Sequence, residues 1–243
     1  MIKIEDLTKN YGDLTALDSL SLDIPEGEFF AFLGPNGAGK TTTIKLLTGL
    51  LHPTRGTVCI CGHNIQREYI KAKSLISYIP DFPFLYDKLT GREFLDFVVR
   101  LYPGCGSPEQ TALRDELLHQ FGLEAQQHHL IENYSHGMRQ KVVFAAALLH
   151  KPRVMIIDEP MVGLDPHSVR IVKDILKARS KEGVTIFFST HTLSVAEELA
   201  DRIGIIDRGR LIAVGTVAEL GRSAGIEGRL EDVFLRLTEE ETQ

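Results

Sequence analysis

The chain has 243 residues, 43% hydrophobic and 25% charged, a balance that argues against a disordered chain and leaves interior enough for one large domain. Its net charge of −6 and sequence pI near 5.9 provide no sequence-wide positive field, so no nucleic-acid partner is expected. The longest apolar run, Val142–Leu149, is far short of the roughly 20 residues that cross a bilayer, and Met1–Asp6 shows no basic stretch leading into an apolar one; neither a span nor a signal peptide is predicted.

Ile2–Leu7 and Leu20–Ile24 alternate apolar and polar residues, the pattern of half-buried strands, with Asn10–Asp13 between them as a turn carrying the exposed aromatic Tyr11. Pro25–Gly27 turns the chain into the apolar strand Phe29–Leu33. A loop of Gly34, Pro35, Asn36, Gly37, Ala38, Gly39, Lys40 and Thr41 follows, and Thr42 leads into an amphipathic helix reaching Leu50. Gly, four residues, Gly, Lys and a hydroxyl residue form the phosphate-loop pattern. The glycines let backbone N–H groups curl around a phosphate chain, and the helix aims its positive end at the same anion. Lys40 suits the β- and γ-phosphates, and the Thr41 hydroxyl suits Mg²⁺. A nucleoside triphosphate site is predicted.

Thr57–Cys61 is another short strand, so the chain opens as an antiparallel layer around the start of an α/β core. Cys59 and Cys61 alternate on that strand, a spacing that suits neither a disulfide nor a zinc pair; with Cys105 they read as reduced structural thiols of the cytoplasm. After the strand Leu75–Ile79, strand signals vanish. Phe94, Phe97 and Leu101 stripe one predicted helix and Leu113, Leu117 and Phe121 a second, with Pro103–Pro108 breaking the chain between them. Residues 82–149 are therefore read as an inserted helical subdomain.

From Pro152 the α/β alternation resumes: strand Val154–Ile157, helix Pro166–Lys181, strand Val184–Phe188 and helix Leu193–Ala200. Ile203–Ile206 and Leu211–Val214 are strands joined by a hairpin-like turn, and Leu230–Glu240 is an acidic helical tail. The organisation predicted is a single domain over 1–243. Residues 1–81 and 150–220 form the α/β core with its antiparallel layer, and 221–243 form the tail.

Asp158 and Glu159 follow an all-apolar strand, at the edge where an open parallel sheet binds ligands. Two acids there suit Mg²⁺ at Asp158 and an attacking water at Glu159. Ser189-Thr-His191 repeats the arrangement after the next strand, and His191 is assigned to the γ-phosphate or the attacking water. His119, His128 and His129 sit among polar residues and read as surface. Ser135 is a natural N-cap for the apolar helix that follows.

In combination these segments resemble the ATP-binding subunits of ABC transporters over nearly the whole chain, in the family's order. Gly34–Thr41 looks like the Walker A loop, Val154–Glu159 like Walker B with its catalytic glutamate, Gly163–Pro166 like the D-loop with Asp165, and His191 like the switch histidine. Tyr11 is similar to the aromatic that stacks on adenine. Tyr134–Gln140, containing Ser135, His136, Gly137 and Met138, resembles the signature motif. The resemblance implies a phosphate-loop NTPase core, a mostly parallel sheet flanked by helices. It also implies ATP and Mg²⁺ as ligands and a homodimer or heterodimer with each ATP between the phosphate loop of one subunit and Ser135–Gly137 of the other. A separate transmembrane permease subunit is implied, with the chain peripheral on the cytoplasmic face of the membrane.

Two departures stand out. Asp81 occupies a position where the family usually has a glutamine that touches Mg²⁺, and His136 replaces a usual glycine. The acid at 81 and the aromatic stretch Tyr78–Tyr86 look more like the branch serving drug, lipid or polysaccharide exporters. Phe82, Phe84, Leu85 and Tyr86 read either as local core or as a groove for a permease helix. The alternative functions are a non-transport ABC ATPase acting on nucleic acid or the ribosome, and a regulator that binds ATP without hydrolysing it; Glu159 argues against the latter.

Overall fold

The computed structural model describes residues 1–82, 84–102, 107–161, 163–226 and 229–239. Its N-terminal half runs β1 (Ile2–Tyr11), β2 (Leu14–Ile24), β3 (Phe29–Leu33), α1 (Lys40–Leu47), β4 (Arg55–Ile60), β5 (His63–Asn64), α2 (Tyr69–Ser74) and β6 (Ile76–Ile79). The helices α3 (Gly91–Arg100), α4 (Pro108–Gln120) and α5 (His136–Leu148) come next, with 3₁₀ turns at Glu124–Gln126 and Ile131–Asn133. The chain then continues through β7 (Val154–Asp158), α6 (Pro166–Lys181), β8 (Thr185–Thr190), α7 (Leu193–Leu199), β9 (Arg202–Asp207), β10 (Arg210–Gly215), α8 (Val217–Ser223) and α9 (Leu230–Glu239).

The described strands form two sheets. One is antiparallel, in the order β2-β1-β4-β5. The other has the order β10-β9-β3-β8-β7-β6, with β6, β7, β8, β3 and β9 parallel and β10 antiparallel at one edge. Every residue of β3, β7 and β8 is buried, as expected for parallel strands covered on both faces. The side-chain period of two then divides β3 between two cores. Phe29, Ala31 and Leu33 face the helices, packing with residues such as Leu95, Phe144 and Val172. Phe30 and Phe32 face the antiparallel sheet and α1, among Ile4, Leu22, Ile44 and Leu47. Truncating Phe32, fully buried, to alanine should cost about 3–5 kcal/mol. This central strand fixes where the phosphate loop leaves the sheet.

The expected antiparallel layer, parallel core and helical insertion are all present, and several details differ. β1 runs on through Tyr11, so the turn is narrower than Asn10–Asp13 and centres on Gly12 at φ +58. Cys61 lies beyond β4 at φ +51 rather than alternating with Cys59 on one strand, and both thiols are free; Cys105 falls outside the described residues. In α3 the buried side chains are Phe94, Leu95 and Val99, whereas Phe97 and Leu101 are exposed, because the helix rolls its Leu95 side onto the core. The second stripe holds, with Leu117 and Phe121 buried and Leu113 packed against the core. Pro108 opens α4, with Ser107 Oγ accepting from Gln110 N–H at 3.2 Å. The β9–β10 turn has both Arg208 and Gly209 at positive φ, the requirement of a type I′ hairpin. No helix among the described residues is long and apolar enough to cross a membrane.

Candidate nucleotide site

β3 delivers the phosphate loop to the carboxyl edge of the sheet. Gly37 and Gly39 adopt φ +81 and +110, which side chains rarely tolerate, and a methyl group on Gly34 would collide with the Ile206 carbonyl oxygen. Gly39 caps α1 without any side-chain hydrogen bond, so the first-turn N–H groups have no side-chain acceptor. Lys40 is only 8% exposed, and its Nζ folds back to donate to the Gly34 and Pro35 carbonyl oxygens at 2.6 and 3.1 Å. Burial pushes this ammonium below the ordinary lysine range, against the raising pull of Glu159 and Asp158. An amine held in this way, desolvated and bonded only to loop carbonyls, is suited to an anionic oxygen.

Parallel pairing of β7 with β8 sets Asp158 opposite Ser189. Asp158 is 5% exposed; the Ser189 hydroxyl donates to Oδ1, and the Thr41 hydroxyl lies 3.5 Å from Oδ2. Burial raises the Asp158 carboxyl above the usual range, with Ser189 opposing the shift and the nearby Asp81 adding to it. Tyr78, beneath these acids, is pushed up to about 12, chiefly by burial and then by the charges of Asp158 and Asp81. A buried carboxylate beside a hydroxyl is a fitting place for a divalent cation. Among the described residues no cluster of three or more His, Cys, Asp or Glu side chains could hold a metal. An ion here would therefore also draw on phosphate oxygens, the usual habit of Mg²⁺.

Glu159 follows at φ +49, with its N–H donating to the Ser189 carbonyl at 3.1 Å. Its Oε1 lies 2.8 Å from Nδ1 of His191, an exposed ring on the loop after β8. Tyr11, Pro35, Asn36, Gly37, Gly39, Lys40, Thr41, Thr42, Asp81, Asp158 and Glu159 line one cleft of about 380 Å³, joined by Leu14 and Ala16. The segments predicted from sequence thus converge, although they are as far apart as Tyr11 and Glu159.

The other candidates lie elsewhere. Ser135 caps α5, accepting from Met138 N–H at 3.3 Å, and Ser135, His136, Gly137 and Met138 do not line the cleft. Asp165 caps α6, accepting from the His167 and Ser168 N–H groups at 3.0 Å each. His119, His128 and His129 are exposed, as anticipated. Three contributors, Ser189, Leu14 and Ala16, are not among the residues predicted from sequence. Ser189 bonds Asp158, a pairing that depends on strand order, and Leu14 joins the cleft because it pairs with Tyr11 across the β1–β2 turn. The hairpin signal at Gly12-Asp13 could have pointed to Leu14.

Comparison with known proteins gives a consistent picture. The family model described as ABC transporter matches residues 17–162. The linearmycin resistance ATP-binding protein LnrL of Bacillus subtilis (strain 168) is 39% identical over 98% of this chain and 75% of its own length. A solved ATP-binding subunit of an ABC transporter superposes with a TM-score of 0.93 at 33% identity, covering 98% of this chain and 99% of that one. A dimeric ATP-binding cassette in a post-hydrolysis state bound to ADP and Pi superposes with a TM-score of 0.81 at 28% identity, covering 89% and 99%.

Proposed function

The chain belongs to the ABC transporter ATP-binding family, and from that premise we propose that it powers export as one of two ATPase subunits mounted on a separate permease. It is an ATP-binding, ATP-hydrolysing subunit; its partners, direction of transport and residue roles are the proposal. The observation that carries it is the cleft, which gathers Lys40, Thr41, Asp158 and Glu159 while leaving out the capped start of α5. A site equipped for triphosphate but separated from a second anion-binding helix end on the same chain is half of a pair. The ADP- and Pi-bound dimer among the similar structures supports completion by a second ATPase subunit.

In this reading Tyr11 stacks on adenine, and Gly34–Thr42 wrap the phosphates with Lys40 as their cation. Thr41, Asp158 and Asp81 hold Mg²⁺, which neutralises phosphate charge when bound. Glu159 takes the proton of the attacking water, with His191 holding the carboxylate in place. Ser135–Met138 and Asp165 face the nucleotide of the partner subunit. The organisation that serves this is one domain, 1–243, with 82–149 as its helical subdomain and 221–243 as its tail.

The permease is proposed to dock between β6 and the helices α3 and α5. A groove of about 230 Å³ there is walled by Tyr78, Phe84, Phe94, Val98 and Val143. Phe82, Phe84 and Tyr86 are exposed beside it, and only Leu85 of that cluster is buried. Exposed aromatics next to an apolar groove suit an amphipathic helix, which would hold the chain at the cytoplasmic face of the membrane. The resistance function named for LnrL favours export over action on nucleic acid.

The test is a search beside this chain's gene for one encoding a polytopic membrane protein, coexpression with that protein, and purification in detergent. The expected result is a stable complex with Mg²⁺-dependent ATPase activity that Phe84→Ala and Tyr86→Ala together dissociate. A purified chain without Mg²⁺-ATPase activity would overturn the catalytic assignments. A complex indifferent to the groove variants would overturn the docking face.

A further inference from the structure

His136, the first residue of α5, makes contacts that a glycine at this position could not. A methyl group built on Gly163 would collide with Cδ2 and Nε2 of the His136 ring, so the imidazole lies over Gly163 on the side where a side chain would project. Gly163 has φ +77 and stands two residues before Asp165, the cap of α6. The same ring meets Phe82, with centroids 6.3 Å apart and planes at 50°. Phe82 directly follows Asp81, which lines the nucleotide cleft. A second tie joins the first turn of α5 to the same loop: Arg139 Nη1 donates to Asp87 Oδ1 at 2.8 Å.

We infer that His136 is a positioning residue that binds the start of α5, the 163–165 loop and the loop after β6 into one unit. The cap at Ser135 fixes the end of α5 internally, but it does not fix that end relative to Gly163 or Phe82. A glycine at 136 would leave both contacts unmade and the helix end free to shift against its neighbours. With the ring in place, Ser135, Gly137 and Asp165 close on the partner's nucleotide at a constant spacing. The Asp81 loop moves with them, so each subunit's own cleft responds to the ATP held by the other. This inference rests on the two-subunit reading above.

Gly163 is then required for two separable reasons, its backbone conformation and the room it leaves for the ring. Gly163→Ala incurs both penalties in the native chain and only the first when His136→Gly is also present. Urea unfolding of the two single variants and the double variant forms a cycle, in which the double variant should be more stable than the sum of the single losses predicts. Function is read in the Glu159→Gln background by light scattering at increasing ATP. His136→Gly should raise the ATP needed for half-maximal dimer by about tenfold, and His136→Phe, which keeps an aromatic ring there, should recover most of that loss. In the Glu159-intact protein, the Hill coefficient of ATP hydrolysis should fall toward one in His136→Gly. Additive stabilities, or dimerisation and cooperativity unchanged by His136→Gly, would overturn the positioning role. A failure of the Glu159→Gln chain to dimerise with ATP would instead remove the two-subunit reading, and this inference with it.

Discussion

His191 and Glu159 are joined directly, imidazole Nδ1 to carboxylate Oε1, at 2.8 Å across the tips of two parallel strands. The carboxylate side chain is 15% exposed and the imidazole 61%, so the acid faces the cleft while its partner faces solvent. Glu159 also holds an uncommon backbone conformation at φ +49. A carboxylate anchored by strand, backbone and imidazole has few orientations left to it.

Glu159→Gln should therefore lower kcat for ATP by about 10²–10⁴-fold, the range for loss of a general base, while nucleotide still binds. His191→Ala frees the carboxylate without removing it and should cost less. Phosphate release at saturating Mg²⁺ and ATP measures both, and unchanged turnover in Glu159→Gln would remove the base assignment.

Asp81 and Asp158 line the same cleft, and the charge of Asp81 bears on the Asp158 carboxyl. Asp81→Asn keeps the shape and one oxygen but loses the charge. The Mg²⁺ concentration for half-maximal hydrolysis should rise by about tenfold, the scale of one charged contact. Calorimetric titration of Mg²⁺ into nucleotide-loaded protein should show the same weakening. Equal Mg²⁺ affinity in the two proteins would exclude Asp81 from the metal's surroundings.

Tyr11 is 46% exposed with its ring covered by Lys9 Nζ, 5.2 Å from the ring centroid. That contact, with the Lys9 bond to the His52 carbonyl at 2.9 Å, holds the aromatic at the cleft mouth. Tyr11→Ala should weaken ATP binding by about 3- to 10-fold, as expected for one lost stacking partner, and Tyr11→Phe should not. Fluorescent-nucleotide titration distinguishes these outcomes from a role for the hydroxyl.

His150 stacks on Tyr102 at 3.9 Å with its Nε2 3.1 Å from the Ile76 carbonyl oxygen, in a cavity shared with Glu109 and Lys151. Burial lowers its pKa from the ordinary 6.5, although the carbonyl pulls the other way. The unfolded chain thus takes up the proton first. The stability this residue contributes is complete above about pH 6.5 and is lost as pH falls through the folded value. Between about pH 7.5 and 5.5 the native chain should lose more stability than His150→Phe, by at most about 1.4 kcal/mol per unit of depression. Urea midpoints at the two pH values check it, and parallel losses would contradict it.

The sequence revealed the site most clearly where a wholly apolar strand ends abruptly in polar residues. Phe29–Leu33 before Gly34 and Val154–Ile157 before Asp158 are such places, because a parallel strand buried on both faces leaves no other reading. Legibility failed where three-dimensional neighbours choose the face. Phe97 fits a helical stripe with Phe94, yet it is exposed and meets Tyr86 edge-on at 5.5 Å beside the groove, while Leu95 takes the core position. α2 went unforeseen because it buries only Ala72 and shows no stripe. The Ser189 bond to Asp158 required the register of β7 against β8, which no local pattern encodes.

The route of the chain between β6 and β7 limits how the molecule can be cut. The two strands are parallel neighbours, so the chain leaves one at its carboxyl end and must re-enter the other at its amino end. The helices α3, α4 and α5 are therefore the crossover itself, not a flap hung from a hairpin. Excising them would leave a return path about one strand long to be bridged, which a tight turn cannot do. A cut anywhere in the helical layer therefore severs the one covalent link between the edge strand β6 and its neighbour β7.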